Sequence, residues 1–169
     1  LAVHEGSLYV GGNIANVGGS PVTSNVARWN GSTWTPLPGE TIPSLFSIFA
    51  LHSFDDGTGP ALYVGGLFSQ AGGVAASNFA RWDGSSWSAL NGAVDDRIYA
   101  FATVGDELYA GGNFREASGV QTGRVVRWAC SAGNTPCNIA DLAEPFGVID
   151  QDDADAFIIA YLAMDPIAD

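Results

Sequence analysis

LYVGGLFSQAGGVAASNFARWDGSSWSAL, residues Leu62–Leu90, is the stretch that decides how the chain is read. The same phrase stands earlier as LYVGGNIANVGGSPVTSNVARWNGSTWTPL, Leu8–Leu37, and later as LYAGGNFREASGVQTGRVVRW, Leu108–Trp128. The copies open at positions 8, 62 and 108, so the period is 54 and then 46 residues. A period of that length suits one four-stranded β unit and is long for a helix-pair repeat.

Each copy follows one internal plan. An apolar strand comes first, Phe46–Phe54 or Ile98–Val104, and a turn follows, Asp55–Gly59 or Gly105–Glu107. The LYVGG strand is next, rich in β-formers and closed by a glycine pair. A loop of small residues leads to the ARW strand. Asn30-Gly31 or Asp83-Gly84 then turns the chain into a short last strand, Trp34–Leu37 or Trp87–Leu90. Such dipeptides are expected to turn through the type I′ geometry, in which both central residues take positive φ. A two-residue loop sets Trp82 opposite Ser85 and Ala80 opposite Trp87, whereas a four-residue loop sets Trp82 opposite Trp87. Either register puts the two tryptophans on one face of the sheet, and the same holds for Trp29 and Trp34. These rings are expected to pack between neighbouring units, with Arg28, Arg81 and Arg127 on the opposite face.

A strand ending in Gly-Gly, then an aromatic strand, then a tryptophan on the next strand, resembles the kelch-type β-propeller repeat. LYVGG…ARWDGSSW is similar to the short bacterial form found in secreted surface proteins. The resemblance covers residues 1–129 and implies an all-β fold, a partial propeller of about three four-stranded blades in an open arc. The blades fall at about 1–38, 42–91 and 96–129, and a small loop-helix segment follows at the C-terminus. Propellers have four to eight blades, so further blades are expected upstream. The third copy lacks its outer strand, which an upstream strand would supply.

The chain carries a net charge of −12, with six arginines and no lysine. No basic stripe exists to neutralise phosphates, which argues against a nucleic-acid partner. No membrane span is visible. The acid is concentrated at the end: from Asp141 onward there are eight carboxylates and no base.

Cys130 and Cys137, in CSAGNTPC, have six residues between them. A local disulfide that pins the junction of two modules is one reading, and it suits an exported protein; two free thiols in a reducing compartment is the other. The spacing fits neither a CxxC redox motif nor a four-ligand zinc site.

Residues 130–138 read as a linker, broken by Gly133, Asn134 and Pro136. Beyond it, Asp152 or Asp153 caps a helix whose apolar face is Ala154, Phe157, Ile158, Tyr161 and Leu162, and Pro166 stops it. The stretch before this helix reads as a degenerate calcium loop with its sharp bend at Gly147. ADLAEPFGVIDQDDADAF resembles a dockerin repeat of the kind found at the C-terminus of planctomycete-like secreted proteins. The resemblance covers residues 139–169 as a truncated first half, since Ala168-Asp169 echoes Ala140-Asp141. It implies calcium held by Asp141, Asp150, Asp153 and the Val148 carbonyl. It also implies a cohesin-like partner met by Gln151 and Asp152. Ala143 and the Pro145-Phe146 pair stand where further oxygen ligands belong, with Glu144 beside them.

No catalytic set is legible. In WDGSSW the Asp and Gly are adjacent, unlike a sialidase aspartate box, and no GxSxG elbow is present. His4 and His52 sit in first-strand positions and read as structural. The arginines recur in every copy, and repeated residues hold repeats together more often than they catalyse. The expectation is a non-catalytic secreted or cell-surface modular protein. Its propeller is a scaffold or recognition domain, with a glycan or protein ligand on loops 13–25, 67–78 and 113–124, and its tail is an attachment module. The alternative is the accessory C-terminal part of an extracellular polysaccharide-degrading enzyme whose active site lies elsewhere.

Overall fold

A computed structural model describes residues 1–14, 16–21, 25–38, 47–90 and 94–128. The Cys130–Cys137 pair, the calcium ligands Asp141, Val148, Asp150 and Asp153, the contact residues Gln151 and Asp152, and the helix all lie outside the described residues. Within them the fold is all-β, antiparallel throughout, with no helix.

The first copy supplies β1 (Ala2–His4), β2 (Ser7–Gly11), β3 (Asn16–Val17), β4 (Ser20–Pro21), β5 (Val26–Trp29) and β6 (Trp34–Pro36). The second supplies β7 (Ser47–Asp55), β8 (Pro60–Leu67), β9 (Gln70–Ala71), β10 (Val74–Ala75), β11 (Phe79–Trp82) and β12 (Trp87–Ala89). The third supplies β13 (Ile98–Val104), β14 (Glu107–Gly112), β15 (Glu116–Ala117), β16 (Val120–Gln121) and β17 (Val125–Trp128). Two four-stranded meanders result, β1-β2-β5-β6 and β7-β8-β11-β12, with a three-stranded sheet β13-β14-β17. The apolar strands and the LYVGG and ARW strands therefore pair as the repeat requires.

The sheets pack face to face in chain order. One face of the middle sheet carries Ile48, Leu62, Val64, Ala80, Trp82 and Trp87 against Tyr9, Val26 and Leu37 of the first copy. Its other face carries Phe54, Ala61, Tyr63 and Phe79 against Ile98, Leu108, Ala110, Val126 and Trp128. Strand β8 is buried without interruption from Ala61 to Gly66, because alternate side chains enter two different cores. Each large side chain buried this way stabilises the stack by about 1.5–3 kcal/mol relative to exposure.

The two tryptophan turns take the four-residue register, one of the two expected, but not the type I′ geometry. Trp82 pairs directly with Trp87, and Trp29 with Trp34, so the connecting loops have four residues. Of Asp83-Gly84 only the glycine takes positive φ. The carboxylate of Asp83 instead accepts the backbone N–H groups of Ser85 and Ser86, closing an Asx turn that a type I′ turn does not use. Type I′ geometry occurs elsewhere, inside what read as small-residue loops. Gly18-Gly19, Gly72-Gly73 and Ser118-Gly119 each take positive φ at both positions, and each joins a two-stranded hairpin: β3-β4, β9-β10 and β15-β16.

The first glycine of those turns has a packing reason as well. A Cβ on Gly72 would lie 2.1 Å from Cδ1 of Trp87, and one on Gly18 would lie 2.6 Å from Cδ1 of Trp34. The third copy has no second tryptophan in its phrase, and there serine occupies the position. The expected packing of tryptophans between units holds for Trp82 and Trp87, which are 3% and 8% exposed. Trp29 and Trp34 contact each other at 5.3 Å but stay half-buried.

Candidate functional site

The two ends of the sheets differ in kind. At one end the strands are joined by tight turns, three of them closed on their own side chains. Asn30 accepts from the N–H groups of Ser32 and Thr33, Asp83 from Ser85 and Ser86, and Asp55 from Gly57 and Gly59. At the other end the glycine-pair strands leave and the first strands of the second and third copies enter. That end carries the three hairpins, a cleft and a pair of exposed aromatic rings.

The rings belong to Phe49 and Tyr99. In both copies the first strand slips register against the glycine-pair strand, between Ile48 and Ala50 and between Ile98 and Ala100. A β-bulge inserts one unpaired residue and re-aims its side chain. The inserted residue is aromatic each time, and it is 45% exposed at Phe49 and 50% exposed at Tyr99. The two rings touch, with centroids 5.3 Å apart and planes tilted by 56°.

The second glycine of each pair makes the bulge feasible. A Cβ on Gly66 would lie 2.2 Å from the Ser47 carbonyl oxygen, and one on Gly112 would lie 1.9 Å from that of Arg97. The first glycine serves the neighbouring sheet: a Cβ on Gly65 would strike Ile98 at 2.6 Å, and one on Gly11 would strike Ile48 at 2.7 Å.

The same end holds a cleft of about 410 Å³, between the β9-β10 hairpin and the β15-β16 hairpin. Phe68, Ser69, Ser77, Asn78, Asp95 and Glu116 line it. Asn78 is its hinge. The residue is buried at φ +64, its side-chain oxygen accepts the Phe68 N–H, and its amide donates to the Val94 carbonyl. Loop 67–78 is thus tied to the entry of the third copy. Across the cleft Asp95 accepts the N–H groups of Glu116 and Arg115, which hold its carboxyl below the ordinary range. Glu116 accepts from Gln121. The cleft therefore presents fixed negative charge and hydroxyl groups, a surface that repels anions.

The arginines and histidines expected to be structural sit at joints between strands and sheets. Asp56 accepts from Thr58 and from the Tyr63 hydroxyl, with Arg81 Nε 3.6 Å away. Burial opposes the charge on Asp56, but these hydrogen bonds and Arg81 outweigh it and keep the carboxyl below its ordinary range. Burial also pushes the Tyr63 hydroxyl far up, so it remains a donor. The third copy repeats the trio as Tyr109, Glu107 and Arg127. In the first copy Arg28 donates to Ser7.

His4 hydrogen-bonds Ser53 at 2.8 Å and His52 hydrogen-bonds Thr103 at 2.6 Å, linking the first strands of successive copies. Burial lowers the pKa of both rings from 6.5, so the fold prefers them neutral. The unfolded chain takes up protons near 6.5 while the folded chain resists. Stability is therefore full above that value and falls as pH drops below it, until the lowered pKa values are passed. Urea midpoints measured across this window will decrease toward acid, and His4→Gln will flatten part of the decrease. Midpoints that rise toward acid would contradict the assignment.

Sequence reasoning pointed to loops 13–25, 67–78 and 113–124; the cleft lies between the last two, and no residue of the first lines it. It missed Phe49 and Tyr99, although a signal was present: Ile-Phe-Ala and Ile-Tyr-Ala recur opposite the glycine pairs, breaking strict alternation. Among the described residues no group of three or more His, Cys, Asp or Glu side chains is placed to hold a metal, and no helix is long and apolar enough to cross a membrane. Compared with known proteins, the chain matches no family model, no curated protein and no solved structure.

Proposed function

We propose that this chain is a non-catalytic recognition and scaffold module of a secreted or cell-surface protein. Its sheets are successive kelch-like blades of a β-propeller arc, and the segment 139–169 is a dockerin-like attachment module. The observation that carries the recognition role is the Phe49–Tyr99 pair, two rings exposed by matching bulges at the end that also holds the cleft. Two copies of one unit spend a backbone irregularity to put an aromatic ring into water, and bulges of this kind gather at sites of function. Exposed ring area at the end that also holds carboxylates and hydroxyls suits a ligand with apolar faces and hydroxyl donors. A glycan has that character, and the acidic cleft disfavours polyanionic ones.

Titration of neutral and acidic oligosaccharides into the chain, followed by intrinsic fluorescence and calorimetry, tests this. The expected result is saturable binding of a neutral glycan, weakened at least tenfold by Phe49→Ala and by Tyr99→Ala without loss of folding. Binding unaffected by both substitutions, or none across a broad glycan panel, would sink the site. For the tail, calcium titration should give heat and a gain in helical circular dichroism. No heat and no gain would retire the calcium loop, and the cohesin-like partner with it.

A further inference from the structure

One joint of the repeat is built differently in the first copy. In the second and third copies a carboxylate serves both the tyrosine of the LYVGG strand and the arginine of the ARW strand. Asp56 Oδ2 accepts the Tyr63 hydroxyl at 2.8 Å, and Arg81 Nε stands 3.6 Å from the same oxygen. Glu107 Oε2 accepts the Tyr109 hydroxyl at 2.9 Å, and its Oε1 accepts an Arg127 N–H. The first copy sets the same two donors in the same register. Tyr9 lies opposite Arg28, as Tyr63 lies opposite Arg81 and Tyr109 opposite Arg127. Among the described residues no carboxylate joins them.

The sequence shows why. Ser7 holds the position of Glu107, one residue before the leucine that opens the phrase, and its side chain stops at a hydroxyl. The loop that returns Asp56 in the second copy, between Asp55 and Pro60, is shortened in the first to Glu5-Gly6, both at positive φ. Arg28 Nε donates to Ser7 Oγ at 3.0 Å, and no ion pair reaches Arg28 among the described residues. Arg28 is exposed, whereas Arg81 and Arg127 are half-buried. Ser7 and Tyr9 are 5% and 3% exposed. The Tyr9 hydroxyl meets the Trp82 indole, which can only donate, so the tyrosine keeps its own proton to give. The Ser7 hydroxyl, accepting from Arg28, does the same. Glu5 acts on Tyr9 and His4 through its charge, but its carboxylate lies 4.0 Å from His4 and pairs with no arginine.

We infer that the first copy binds a carboxylate brought by a ligand. Arg28, Ser7 and Tyr9 hold it as Arg127 and Tyr109 hold Glu107. An ionised acceptor makes these hydrogen bonds about twice as strong as neutral ones, and a planar two-oxygen group matches the guanidinium fork. The ligand class is a small aliphatic acid or a sugar acid, which share that group. The site sits at the tight-turn end of the sheets, opposite the cleft and the aromatic pair, and does not rest on the glycan reading.

Thermal unfolding of the full 169-residue chain in rising sodium acetate or sodium glucuronate tests the inference, with sodium chloride and sodium phosphate at matched ionic strength as controls. A ligand that binds only the folded chain raises the midpoint. Either carboxylate should raise it saturably, and the one that saturates at lower concentration identifies the source. Arg28→Gln changes an exposed side chain and Tyr9→Phe removes one hydroxyl; each should weaken the apparent affinity at least tenfold. Ser7→Glu installs the acid of the third copy, so its midpoint should stand higher without ligand and no longer respond. Glu5→Gln removes a nearby negative charge and should tighten binding. No response to either carboxylate would overturn the inference, as would chloride or phosphate matching acetate. So would a response that survives in Arg28→Gln and Ser7→Glu. A Glu5→Gln protein with a lowered midpoint that acetate restores would also overturn it, because Glu5 would then be the acid of the first copy.

Discussion

Gly66→Ala will destabilise the fold by on the order of 3 kcal/mol, the upper end of what overpacking costs. The new methyl group would stand 2.2 Å from the Ser47 carbonyl oxygen and 3.1 Å from the Ile48 Cα, both backbone atoms that no rotamer change can move aside. Relief requires β7 to shift at the bulge, and that shift carries Phe49 away from Tyr99. Gly111→Ala, in the first position of the same motif one copy later, meets no described residue within 4 Å. It should be neutral, or stabilise by a few tenths of a kcal/mol through the reduced entropy of the unfolded chain. Denaturant unfolding of the two variants side by side checks the contrast. Equal losses would show that the glycine pair is kept for strand chemistry in general and not for the bulge.

Asn78→Ala should cost about 2–4 kcal/mol, from two sources that can be separated. Its side chain satisfies the buried Phe68 N–H and reaches the Val94 carbonyl, and an unsatisfied buried donor costs about 1–3 kcal/mol. Its backbone sits at φ +64, where asparagine is tolerated and alanine adds roughly 1 kcal/mol of strain. Asn78→Gly removes the strain and keeps the lost hydrogen bonds, so it should recover the smaller part. Thermal unfolding of the three proteins measures both terms. Full recovery in the glycine variant would mean that the side-chain bonds contribute nothing, and the cleft would lose its hinge. The equivalent position in the third copy is Arg124 at φ +73, whose side chain reaches Asn113 instead.

What the sequence made legible follows from what repetition can encode. The strand plan, the shared tryptophan face and the arginines opposite it were readable because period and parity specify them without reference to any neighbour. Turn types were not. Asp83-Gly84 carries the strongest short hairpin signal, yet the Asp83 carboxylate captures two backbone N–H groups and opens the loop to four residues. The type I′ turns went to Gly18-Gly19 and Gly72-Gly73, where the indoles of Trp34 and Trp87 leave no room for a Cβ on the first glycine. That constraint is tertiary and cannot be read from a dipeptide. The aromatic pair was hidden for a similar reason. Phe49 and Tyr99 look like ordinary strand residues until the register slip turns them outward, and the slip depends on glycines in a different strand.

Native-state hydrogen exchange in dilute solution tests the stack itself most directly. Among the described residues the middle sheet is covered on both faces, and the first and third are each packed against it on one. Amides of Ala61–Val64 and Phe79–Trp82 should therefore exchange slowest, through global unfolding alone, and those of Ala2–His4 and Val125–Trp128 faster, through local opening. Middle-sheet amides that exchange as fast as the flanking ones would contradict the account, because successive copies would then not be burying one another.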